Sequence, residues 1–185
     1  MIETILLSFI FAKVKGYKLK PLFKSWTIYP IIVFMLMYIM LEVFIFTGNY
    51  SLVKYSNVYK ITYLCSFLIL IIKYKLYMSA IIGSVFVLIG GQLNNIAIAA
   101  NNGKMPVFPS LSYLTGYAKQ GSFTSSIDIH ILGNSLVKLK FLTDVIDVGY
   151  SILSLGDILI RMFAFIIIYY AIKNSNLICI NEYYK

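Results

Sequence analysis

Apolar residues run along this chain in long blocks with little alternation, so the pattern predicts helices set in lipid rather than strands or a soluble core. The first block, Ile2 to Val14, is about 12 residues, short of the roughly 20 that cross a bilayer. Glu3 stands at its start and Lys13 at its end, and no small-residue cleavage site closes it. It therefore reads as a short retained helix, spanning or re-entrant, and not as a removable signal peptide. The second block, Trp26 to Thr47, is long enough to span, with Trp26 and Tyr29 at interfacial depth and Pro30 in its first turn. A third, about Val58 to Ile72, follows the short connection Gly48 to Lys60. The fourth, Leu76 to Ala100, carries Ala80, Gly83, Ser84, Gly90, Gly91, Asn94, Asn95 and Ala97 at three- and four-residue spacings. Small residues let helices approach in lipid, so this helix is expected at the centre of a bundle. The last block is about Ser154 to Ile172.

Between the fourth and last blocks, Asn101 to Leu153 is too polar for a plain span, with Pro106, Pro109, Gly116, Gly121, Gly133 and the single histidine, His130. It reads as a non-spanning excursion on the outer side. The chain as a whole, residues 1–185, is expected to be one integral membrane domain. Its fold class is all-α, a polytopic membrane helix bundle with about four or five spanning segments and one outer re-entrant or interfacial excursion.

Composition removes the main alternative. Of 185 residues 60% are hydrophobic and 12% charged, and the mean hydropathy is +0.84, whereas soluble domains carry about 45–50% apolar and about 25% charged residues. The net charge of +9 would suggest nucleic acid in a soluble protein. Here the lysines cluster between apolar blocks, as in Lys13, Lys15, Lys18, Lys20 and Lys24, which marks the cytoplasmic side and argues for no nucleic acid. Alternation then puts the end of the fourth helix and the start of the last at the outer face. Fifteen of the sixteen basic residues are lysine, and Ile, Tyr, Asn and Phe abound, a bias expected of an A+T-rich genome. The expected location is a bacterial cytoplasmic membrane. Cys65 and Cys179 form no CxxC pair, so neither a disulfide nor a zinc site is expected.

The polar residues inside or beside the apolar blocks carry the candidate chemistry. Asn94 and Asn95 need hydrogen-bond partners in hydrocarbon, and supply either interhelical glue or a ligand-facing amide pair. Asn101-Asn102-Gly103-Lys104-Met105-Pro106-Val107 contains a helix stop in Gly103 and Pro106, and equally a turn that exposes carbonyls and amides to a polar ligand. Ser154-Leu155-Gly156-Asp157 has capping-box spacing, and Arg161, one turn on, is expected to pair with Asp157 and snorkel outward. Asp144 and Asp147 at i, i+3 would share a helix face, where they can hold a divalent cation or divide acid and base roles. His130 completes a His/Asp set if it folds back toward Asp144.

Several of these pieces occur together in a recognisable order. Gln92-Leu93-Asn94-Asn95 leads into Ala100 to Val107, His130 precedes Leu142-Thr143-Asp144, and Ser154-Leu155-Gly156-Asp157-Ile158-Leu159-Ile160 follows. The combination resembles the small bacterial integral membrane proteins of the domain of unknown function 5317 family, over most of the chain. Members usually read Asn-Gly-Gly before x-Met-Pro-Val, and here Asn102 stands for the first Gly. The resemblance implies membrane location and a shared polar set. It implies no substrate or cofactor.

The candidate ligand-binding residues are therefore Asn94, Asn95, Asn101, His130, Asp144 and Asp157. The first functional reading is a site near the outer face for a cation or small polar ligand. A membrane-embedded enzyme acting on a lipid-like substrate through an Asp/His set is the second, and a non-catalytic scaffold or partner subunit is the third. The expected partners are the lipid bilayer, such a ligand, and a second copy of the chain.

Overall fold

A computed structural model describes residues 2–49, 52, 55–119 and 129–183. Helix α1 (Ile2–Val14) is followed by the short α2 (Lys20–Lys24) and one 3-10 turn, Trp26–Ile28, that runs into α3 (Tyr29–Phe46). Then come α4 (Ser56–Ser66), α5 (Leu68–Lys73) and α6 (Tyr77–Ala100). Strand β1 (Met105–Val107), helix α7 (Leu111–Thr115), strands β2 (His130–Leu132), β3 (Ile146–Asp147) and β4 (Ile152–Leu153), and helix α8 (Leu155–Tyr183) complete the chain. The fold is mainly helical, and the strands among the described residues are only two or three residues long. Gly121, part of the excursion, lies outside the described residues.

Three helices are long and apolar enough to cross a membrane among the described residues: Trp26–Phe46, Tyr77–Ala100 and Leu155–Cys179. The other two expected segments fall short for local reasons. Helix α1 has only 13 residues. The third block divides at Phe67, whose N–H bonds the Leu64 carbonyl three residues back, while the Ser66 hydroxyl donates to Tyr63 O. That tightened turn leaves α4 and α5 as separate short helices.

The chain forms two compact units, residues 1–85 with 161–185, and residues 86–160. In the first, α1 runs beside α8 in parallel with a constant offset. Glu3 meets Arg161, Phe11 meets the Tyr169 ring at a tilt with centroids 5.2 Å apart, and the Lys18 backbone, just beyond α1, exchanges hydrogen bonds with the Asn176 amide. Its interior is aromatic. Tyr59 stacks on Tyr63 at 6.4 Å, Tyr63 meets Phe67 edge-on at 5.1 Å, and Phe67 meets Phe163 at 5.7 Å. Gly83 of α6 admits that last ring, since a methyl group there would stand 2.8 Å from it.

Helix α8 is more enclosed than α6. Of the apolar window of α8 39% is buried, against 17% for α6, because Ile167, Ile168, Ala171 and Ile172 are fully enclosed while Met78, Ile81 and Leu88 stay exposed.

In the second unit, α6 stops as its sequence requires. Asn102 and Gly103 both take left-handed backbone, with φ of 57° and 78°, and the Gly103 N–H returns to Ile98 O at 2.9 Å. Asparagine tolerates that region, so Asn102 keeps the turn that the glycine of the family pattern would make. The chain then enters β1, which pairs in parallel with β2, Met105 opposite His130 and Val107 opposite Leu132. On its other edge Val107 bridges Asp144. Pro106 sits where the edge begins, its carbonyl accepting from the Asp144 N–H at 3.1 Å and its ring replacing a donor that has no partner. Strands β3 and β4 form a separate antiparallel pair.

Candidate functional site

Asn94 and Asp157 are brought together, with a structural result. The Ser154 hydroxyl donates to Asn94 Oδ1 at 2.7 Å, Asn94 Nδ2 donates to Asp157 Oδ1 at 3.2 Å, and the Asp157 N–H donates to Ser154 Oγ at 2.9 Å. The Ser154 N–H returns to Asp157 Oδ2 at 3.3 Å. This is the expected capping box, with Asn94 closing it from α6 and Ser154 fully buried. It forms because two glycines let the backbones touch. A methyl group on Gly90 would stand 2.4 Å from Gly156 O, and one on Gly156 would stand 2.1 Å from Asn94 Oδ1.

Asn101 and Asn95 go elsewhere. The Asn101 amide behaves as a second peptide group: it donates to Ala97 O at 2.8 Å and Lys138 O at 2.9 Å, and accepts from the Lys138 N–H at 2.9 Å. It pins the excursion to the end of α6. Asn95 is exposed, since neighbouring residues on a helix point about 100° apart and cannot share a face.

The carboxylates of Asp144 and Asp147 do not lie on one helix, which corrects that expectation. Thr143, Val145, Ile146 and Val148 are β-branched, and Gly149 turns the chain at φ 87°, so the segment is extended. Asp147 serves the turn at α7. It accepts from the N–H groups of Ser110 at 2.6 Å, Ser112 at 2.8 Å and Gly149 at 2.8 Å, and from the Ser112 hydroxyl at 2.6 Å. Burial raises its pKa, but the bonds from Ser112, Ser110 and Gly149 outweigh it and hold the carboxyl below its ordinary value. Such a group stabilises the fold above its unfolded value of about 3.9 and loses that contribution as pH falls through its lower folded value. Limited proteolysis around residues 110–118 should therefore increase below about pH 4, and Asp147→Asn should show the same cleavage at pH 7.

Asp144 and His130 face each other. Both lie beside β1 on the face that carries Met105 and Val107, which the parallel register fixes. His130 Nε2 is 3.5 Å from Asp144 Oδ2, with the imidazole 38% exposed and the carboxylate 5%. A buried carboxylate beside a half-open imidazole orients the ring and favours positive charge on it or on a group bound to it. The wall on this side is apolar, built from Met105 and Leu142 against Ala97, with Leu93 and Ile98 around them.

Arg161 departs from its expected partner. Its guanidinium donates to Glu3 Oε1 at 2.8 Å, with side-chain exposures of 16% and 30%, because Asp157 is already occupied by Ser154 and Asn94. The hydroxyl of Tyr63, in a residue 2% exposed, is buried without a hydrogen-bond partner among the described residues. Tyr63 lies within the field of both Arg161 and Glu3. The sequence carried a signal for this pair, as Glu3 and Arg161 are ionisable residues of opposite sign, each within an apolar block.

The model of a family of unknown function, DUF5317, matches residues 19–169. The chain belongs to that family. No curated protein and no solved structure matches it. The match takes in the Asn94 network, the Met105-Pro106-Val107 strand, His130, Asp144 and Asp157, and leaves out Glu3. Among the described residues, no three His, Cys, Asp or Glu side chains gather as a full metal cage.

Proposed function

We propose that this chain is a multi-pass protein of a bacterial cytoplasmic membrane that holds a cation or small polar ligand at its outer face. His130 and Asp144 are the groups that meet the ligand. The observation that carries this reading is the contact between a buried carboxylate and a half-open imidazole, 3.5 Å apart. Asn94, Asn101 and Asp157 support it from behind, because their polar groups are engaged in fixing α6, the excursion and α8. The return crossing between α3 and α6 is made by α4 and α5 together, 18 residues or about 27 Å of helix with one tightened turn. This brings the Lys73 and Lys75 end back to the lysine-rich side, as positive charge inside requires.

His130 is the one histidine of the chain, so its imidazole can be followed alone. In protein labelled with 13C-histidine, Zn2+ should shift that signal saturably. Asp144→Asn should weaken the effect roughly 10- to 100-fold, as loss of an orienting carboxylate does elsewhere, and Asn95→Ala should leave it unchanged. A signal indifferent to Zn2+ up to millimolar concentration, or an Asp144→Asn variant equal to wild type, overturns the reading.

The exposure difference between the two side chains also suits a general base with its orienting carboxylate. That reading requires cleavage of a lipid-like ester in mixed micelles, abolished by His130→Ala.

A further inference from the structure

The first unit holds a groove of about 320 Å³ lined by Pro21, Lys24, Ser25, Lys73, Tyr74, Ser175, Ile178 and Cys179. Its makeup divides into two parts. Lys24, in the last turn of α2, and Lys73, in the last turn of α5, both line it. Among the described residues no carboxylate lines the groove. Neither lysine has an ion-pair partner among the described residues. Pro21, Tyr74, Ile178 and Cys179 make most of the remaining wall apolar, with the hydroxyls of Ser25 and Ser175 among them, and Ile178 is 42% exposed. Trp26 and Tyr29, the aromatic residues suited to a lipid–water boundary, follow Lys24 directly and are 64% and 53% exposed.

An uncompensated pair of ammonium groups beside an apolar wall, at the level of an aromatic belt, matches a ligand that is anionic at one end and greasy at the other. Basic pockets between membrane helices on the cytoplasmic side take acidic lipid headgroups for this reason. We infer that the groove between α2, α5 and α8 binds the phosphate of an anionic phospholipid, with Lys24 and Lys73 on the phosphate oxygens and Ile178 against the glycerol and upper acyl chain. The inference rests only on the chain being embedded in lipid and is independent of His130 and Asp144. A free phosphate would satisfy the lysines but leave the apolar wall unused.

The test uses the full chain in mixed micelles, with phosphatidylglycerol, phosphatidylcholine or inorganic phosphate as the probe, and reads lipid retention by native mass spectrometry and the thermal midpoint. Phosphatidylglycerol should be retained and should raise the midpoint, and phosphatidylcholine should do neither. Lys24→Gln with Lys73→Gln should weaken retention about 30-fold, the expected effect of two ammonium groups at a lipid surface. Lys24→Arg with Lys73→Arg should keep it, showing that the double variant fails through charge and not through misfolding. Lys60→Gln with Lys138→Gln removes equal charge outside the groove and should retain lipid as wild type does. Equal retention by the Gln variant at the groove overturns the proposal, as does inorganic phosphate reproducing the whole shift in midpoint. Loss of Zn2+ response at His130 with lipid retention intact would fail the outer site alone.

Discussion

Glu3→Ala should cost about 3 kcal/mol of stability and Arg161→Ala a similar amount, because each leaves the other charge enclosed and uncompensated. The pair closes at 2.8 Å with neither side chain more than 30% exposed. Helix α1 is also held against α8 by Phe11 on Tyr169, and the segment that follows α1 by Lys18 on Asn176. Glu3 therefore cannot retreat to water without dragging α1. Removing both charges together is a different matter. Glu3→Gln with Arg161→Met should recover most of the loss, since a buried pair replaced by groups of similar volume is near neutral. Thermal unfolding in one detergent, run as a double-mutant cycle, separates this pairing from its rival. Coupling of 1 kcal/mol or more is expected between positions 3 and 161. Strong coupling between Asp157 and Arg161, with none to Glu3, would refute the assignment.

The same comparison shows what could be read from sequence. The blocks at Trp26, Leu76 and Ser154 emerge as the three long apolar helices because their length alone decides the matter. The Gly103 and Pro106 stop and the Ser154 to Asp157 box emerge because each is a local rule with one backbone solution. The Asp157 to Arg161 pairing failed because i, i+4 spacing says which groups can meet. It is silent on a competing partner 158 residues away that arrives by tertiary packing. The break at Phe67 turns on one carbonyl's choice between two donors, which hydropathy does not register. The Asp144 to Asp147 helix was a wrong period: β-branched neighbours set the chain extended, and one carboxylate went to a serine turn while the other stayed with His130. That last contact was conditional in the sequence on the chain folding back. The register of a three-residue strand supplies the fold.

Gly156→Ala should be the most damaging single methyl group in the second unit, while Gly91→Ala should be harmless. Both exchanges remove a helical glycine, which by propensity alone gains up to about 1 kcal/mol. At Gly91 nothing lies within 4 Å of the added carbon, so the gain is kept. At Gly156 the carbon would stand 2.4 Å from the Gly90 carbonyl and 2.1 Å from Asn94 Oδ1. The first is backbone and cannot rotate away, and the second is the acceptor that holds the Ser154 hydroxyl. The helices must separate, at about 1–3 kcal/mol for overpacking, and the separation also strands the buried Ser154 hydroxyl, whose loss of the half-buried Asn94 as partner costs about 1–3 kcal/mol. A net loss of about 3 kcal/mol is expected for Gly156→Ala, and Gly90→Ala should follow it because the same carbonyls oppose each other. Thermal midpoints of the three alanine variants decide the point. If Gly156→Ala and Gly91→Ala shift the midpoint alike, the close approach of α6 to the start of α8 is wrong, and with it the reason Asn94 can reach Asp157.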